Sequence, residues 1–172
     1  TCSFQTSTLI YDATVWFCEK FLDPRSRTVD QMVQAARSGK QNIVEGSIAS
    51  AMSKQKEIDL TNWAKASQEE LKEDYKDFLR TRKLPEWPKT HRYAQRLAQL
   101  CRKPGASYAD FQRGIESDDP EIAANVLLGL CKVTIVLLKR QIESLEKAFL
   151  EEGGIRERMT KARLEVRGQQ RR

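Results

Sequence analysis

Histidine is nearly missing from this chain: of 172 residues only His91 is one. A di-metal helical site draws on Glu-x-x-His pairs from two helices and is excluded, and with one histidine and no paired cysteines a zinc site is not expected either. Cys2, Cys18, Cys101 and Cys131 are scattered, with no CxxC pair. Without a secretion signal, reduced thiols are the expectation, with Cys18 and Cys131 as small core residues of apolar helices. Glycine and proline number only 8 and 5, against 40% hydrophobic and 31% charged residues. That balance excludes fibrous and disordered classes and fits a soluble helical protein with one domain and an appendage. No apolar run is seen that approaches the roughly 20 residues of a membrane span. The opening residues TCSFQTSTLIYD lack a basic stretch followed by an apolar one, so no signal peptide and a cytoplasmic location are expected.

Catalytic motifs are equally scarce. Gly39-Lys40 superficially resembles a phosphate loop, but Gln34 stands where its first glycine belongs and Gln41 where Ser or Thr should follow. No Gly-rich dinucleotide motif, GxSxG or HExxH occurs. His91 lies beside prolines and is expected to be exposed. Glu70 and Asp74, spaced i, i+4, have no answering carboxylate–histidine set. The reading is of a protein that is not an enzyme and takes no cofactor or metal.

What is present is helix. Residues 28 to 51 form the central amphipathic element, with Thr28 and Gln31 in capping-box relation and apolar residues recurring from Val29 to Ile48. Gly39 and Gly46, seven residues apart, face nearly the same way, and each costs about 1 kcal/mol relative to alanine. They mark a line of close approach by another backbone, or else a bared surface for a ligand. Ser38, Asn42 and Glu45 follow i, i+4, i+7. They read as a buried hydrogen-bonded seam fixing register or subunit pairing, or, with Arg37 and Lys40, as an anion-binding patch.

Around this element, residues 8 to 21 form a first helix stopped by Asp23-Pro24. A third runs from Lys54, capped by Ser53, to about Arg82, with Leu60, Ala64, Ser67, Leu71, Tyr75 and Phe78 inward. The fourth long helix starts at Asp119-Pro120 and reaches about Leu150, apolar on more than one face, as suits a central position or an oligomer contact. Between the third and fourth, residues 86 to 119 are too long for a plain connection. They read as two short helices, 91 to 102 and 107 to 116, anchored by Trp87, Tyr93, Tyr108 and Phe111. Interleaved arginines leave a base-stacking surface as the alternative. Residues 1–150 thus give an all-α, up-down-up-down four-helix bundle with a two-helix insertion.

Residues 151–172 are a suffix. After Gly153-Gly154 break the helix, Ile155, Met159, Ala162 and Val166 repeat at helical spacing beside a basic face. Arg156, Arg158, Lys161, Arg163, Arg167, Arg171 and Arg172 outnumber Glu157 and Glu165, a net +5 that leaves +1 of the total +6 for the other residues. Such a tail binds phosphates with salt-sensitive, largely sequence-independent affinity, which makes RNA a candidate partner. Its apolar stripe fits a second role, a scaffold in which the tail docks on the bundle or on a partner protein.

Two stretches, QAARSGKQNIVEGSIASAMSKQKE and ASQEELKEDYKDFL, resemble the intervening-sequence protein family associated with 23S ribosomal RNA genes. Its second helix carries the element matched here by Ile43-Val44-Glu45-Gly46-Ser47. FLEEGGIRERMTKARLE resembles the C-terminal extension of the four helix bundle suffix subgroup. The resemblance implies an up-down-up-down bundle, self-assembly (a five-membered ring in relatives), and no known catalysis. One related branch, accessory proteins of diversity-generating retroelements, forms a basic barrel that binds nucleic acid and a reverse transcriptase.

Overall fold

A computed structural model describes residues 2–103, 105–152, 159–160 and 163–167. Six helices organise them: α1 (Cys2–Phe21), α2 (Arg27–Ala49), α3 (Lys54–Thr81), α4 (Arg92–Leu100), α5 (Tyr108–Ile115) and α6 (Pro120–Glu152). The fold is all-α, with no strand among the described residues.

α1 begins a turn and a half before its apolar periodicity does. Its early hydroxyls find acceptors: Ser7 and Thr8 donate to the Phe4 carbonyl at 2.9 and 3.0 Å, and Ser3 to Gln141 Oε1 at 3.1 Å. Satisfied in this way, a polar opening turn is compatible with burial. The cap of α2 also differs from expectation. Ser26, not Thr28, is the N-cap, its Oγ accepting from the Thr28 amide at 3.2 Å. Ser53 caps α3 through the Lys56 amide at 3.3 Å, and the Asp119 carboxylate accepts from Glu121 N at 2.8 Å ahead of α6.

α2 packs on α1 and α3, α3 on α2 and α6, and α6 on α1, α3, α4 and α5. The main core gathers Ile10, Phe17, Met32, Leu71, Leu79 and Leu127, all fully buried or nearly so. Within it the Phe17 ring meets those of Phe21, Tyr75 and Phe78 at centroid distances of 5.1, 5.1 and 4.7 Å. The Tyr75 hydroxyl is satisfied by Thr14 at 2.9 Å, so the buried ring carries no unpaired polar atom. Cys18 and Cys131 are buried free thiols, and burial pushes Cys18 up to about 12, which keeps it protonated and inert.

A smaller cluster, Ile43, Ala64 and Leu138, is separate from this core. The gap between the two is one helical level. Gly39, Gln68 and Thr134 each lie four residues from a member of the small cluster and three from Ala36, Leu71 or Cys131 of the large one. All three are buried. A polar layer therefore interrupts the core of the molecule.

α6 corrects one expectation. Over an 18-residue window it is long and apolar enough to cross a membrane, with mean hydropathy 1.9, yet 56% of that window is buried inside the protein. A core helix has this character too, so the helix is weak evidence for a membrane span.

Candidate interaction surfaces

Gly39 and Gly46 are both buried on the side of α2 that meets α3, but they are not equivalent. A Cβ on Gly39 would lie 2.5 Å from Gln68 Nε2, whereas one on Gly46 would meet Leu60 Cβ at 3.4 Å, ordinary contact. Neither backbone is bared to a ligand. Beside them, Ser67 Oγ donates to Ser38 Oγ at 3.0 Å, and Asn42 Nδ2 donates to Ser38 at 3.3 Å. The expected seam stops there. Glu45 is exposed, because one further turn carries the line away from α3 and into solvent. Lys40 turns the other way, its ammonium 4.2 Å from the Tyr11 ring centroid on α1, so no anion patch forms with Ser38 and Asn42. Val44 and Ile48, read as part of the apolar stripe, are exposed (Ile48 at 66%).

Further along the α2–α3 groove, Asp30, Glu70 and Asp74 line a polar cleft with Arg27. Burial, then the like charges of Asp77 and Glu70, push the Asp74 carboxyl up to about 6 from 3.8. A carboxyl raised on folding favours the folded state below pH 4 and loses that contribution as pH rises through 6. Asp74→Asn is therefore expected to raise the melting temperature at pH 7 and to leave it nearly unchanged at pH 4. Discounted for the exposed part of the side chain, the gain is on the order of 1 kcal/mol. Equal shifts at both pH values would count against this account.

The insertion is fastened to α6 by Asn125. This buried amide accepts from the Trp87 backbone N–H at 2.8 Å and donates to the Pro85 carbonyl at 2.9 Å and to Glu121 O at 2.9 Å. Trp87 Nε1 donates to Glu121 Oε1 at 2.8 Å. Of the four expected anchors, Trp87 and Phe111 are buried, Tyr108 is half-buried, and Tyr93 is exposed. Tyr93 rests on the surface against Trp87, centroids 5.4 Å apart, with the Arg92 guanidinium over its outer ring at 4.5 Å. His91 is not exposed as expected but half-buried, stacked on Trp87 at 4.4 Å and 20°. Leu97 and Ile115, not singled out from the sequence, are the remaining anchors. Leu97 sits on Gly129 so closely that any side chain there would collide with it.

Beside α4 this docking leaves an open groove of about 740 Å³ along α6. Its floor is Leu97, Leu128, Val133, Val136 and Leu137, and Lys89, Arg102, Lys132 and Arg140 stand around it without a carboxylate in the lining. The sequence of α6 is apolar on several faces. The signal for the groove itself was the absence of any acid between residues 87 and 109, where five cations occur.

Of the tail, Arg163 and Arg167 are described, both helical and exposed. Arg156, Arg158, Lys161, Arg171 and Arg172 lie outside the described residues, as do the Gly153-Gly154 break, Ile155 and Ala162. Met159, Leu164 and Val166 are exposed at 52%, 63% and 53%. Comparison with protein-family models, with curated proteins and with solved structures finds no match to this chain.

Proposed function

We propose that the chain is a non-catalytic, self-associating, cytoplasmic module built on an up-down-up-down four-helix bundle of α1, α2, α3 and α6. In this reading it belongs with the intervening-sequence proteins it resembles and binds RNA through its basic C-terminal segment. The topology draws support from paired ends. Ser3 reaches Gln141 while Asn125 reaches Pro85, and Ser38 meets Ser67, contacts expected of long helices that run against their neighbours. The observation that carries the binding role is the exposure of Arg163 and Arg167, one helical turn apart in a segment of net charge +5. Among the described residues neither forms an ion pair, which leaves both free for phosphate.

Five to seven phosphate contacts on single-stranded RNA should weaken binding about 100- to 1,000-fold between 50 and 200 mM salt. Arg163→Gln with Arg167→Gln should lower the slope of log affinity against log salt by about 1.4. Deleting residues 155–172 should abolish binding while the melting temperature of the rest is kept. Undiminished RNA binding by the truncated chain would refute the assignment.

One observation favours a second reading. Met159, Leu164 and Val166 present apolar surface that the chain leaves open, as expected of a helix that docks on a partner protein. Burial of Met159 on adding RNA, or on adding a candidate protein, separates the two.

A further inference from the structure

We infer that the groove between α4 and α6 is a docking site for an acidic amphipathic helix of another protein. α4 already shows how a helix seats on this face of α6, with Leu97 pressed onto Gly129. α4 ends at Leu100, but the α6 stripe continues as Val133, Val136 and Leu137, with Val136 48% exposed. From Leu128 to Arg140 the floor is about 18 Å long at 1.5 Å per residue, room for three turns of a second helix laid end-on to α4. Apolar side chains at i, i+3 and i+7 would fill it.

The rim determines the sign of the partner. Lys89, Arg102 and Arg140 form no ion pair among the described residues, and Lys132 is held by Glu86 at 2.6 Å on the outer edge. A carboxylate-bearing helix complements this rim. The chain's own tail does not, since its seven cations would meet four more. A second copy is a poorer match: on its α3, Glu69 and Glu73 already pair with Lys72, Glu73 with Lys76 and Asp77 with Arg80, while Glu70 and Asp74 face the cleft with Arg27. Apart from Trp87, which is buried, the floor presents aliphatic carbons, so it suits leucine side chains better than stacked bases.

The test uses the full chain and a fluorescein-labelled helical peptide of about fourteen residues, three to four turns. It has leucines at i, i+3, i+7 and i+10 flanked by glutamates, and its counterpart carries lysines in their place. Fluorescence anisotropy should show the glutamate peptide binding and the lysine peptide not. Val136→Asp, which alters an exposed residue and should leave the melting temperature unchanged, is expected to weaken binding about tenfold or more. Arg102→Glu with Arg140→Glu should reverse the preference, capturing the lysine peptide. Equal binding of both peptides, or indifference to Val136→Asp, overturns the proposal. So does single-stranded RNA, or a phosphatidylserine vesicle, that loses affinity on the charge reversal while the glutamate peptide does not. None of these outcomes bears on the C-terminal segment, whose RNA binding is measured separately.

Discussion

Asn125→Leu is expected to destabilise the protein by about 2–4 kcal/mol, since the buried Trp87 N–H loses its partner at about 1–3 kcal/mol and the part-buried Pro85 carbonyl loses its own at somewhat less. The two groups are bound to the Asn125 amide at 2.8 and 2.9 Å. Leucine keeps the branched outline, though larger, but offers neither a donor nor an acceptor. For a chain of this size the melting temperature should fall by about 5–15 °C. The loss should also be local. Trp87 lines the α4–α6 groove, so its amide should exchange faster and its fluorescence shift red before global unfolding. Asn125→Asp keeps an acceptor for Trp87 but sets a buried carboxylate oxygen against the Pro85 and Glu121 carbonyls, so at neutral pH it should destabilise at least as much as leucine. An Asn125→Leu protein that melts with the parent, and whose Trp87 amide stays protected, would mean that the insertion is held by apolar contact alone.

That single amide illustrates what sequence reading reaches and what it misses. Helical period located all four long helices to within a few residues, apart from the start of α1, and the insertion's two short helices were legible from Lys103-Pro104-Gly105 between them. The cap signals at Ser53 and Asp119 were local chemistry and read correctly. Asn125 was not legible. Its partners lie 38 and 40 residues away, and in sequence it is merely a polar residue inside an apolar run. The same limit explains Val44, Ile48 and Glu45. Periodicity says which residues share a face, but only the neighbours decide whether that face is covered, and among the described residues α2 packs mainly on α1 and α3. It also explains α6. Its apolar breadth is used by α1, α3, α4 and α5, yet the stretch beyond α4's end stays partly open at Val136. As for the suffix, the sequence assigned it seven cations, of which two lie among the described residues.

The two glycines of α2 should part company on substitution. Gly46→Ala is expected to be neutral or to stabilise by up to about 1 kcal/mol, since the new methyl meets only ordinary contact and helix propensity improves. Gly39→Val should instead cost about 1–3 kcal/mol, because its Cβ falls 2.5 Å from Gln68 Nε2 in the fully buried layer and its methyls have nowhere to go. Gln68 is the flexible partner in that collision, and neither of its amide atoms has a hydrogen-bond partner among the described residues. Removing it should therefore cost less than an ordinary core truncation, since the unpaired amide leaves along with the methylenes. Combined with Gly39→Val, Gln68→Ala should recover most of the loss, as the valine fills the space the glutamine vacates. The coupling between the two sites in a double-mutant cycle, read from urea midpoints, should reach about 1–2 kcal/mol. Additive losses, or equal costs for valine at Gly39 and Gly46, would show that Gln68 is not what requires glycine at position 39. If the coupling is found, the missing side chain on α2 exists to admit an amide from α3, and the polar layer, more than close backbone approach, fixes how these two helices meet.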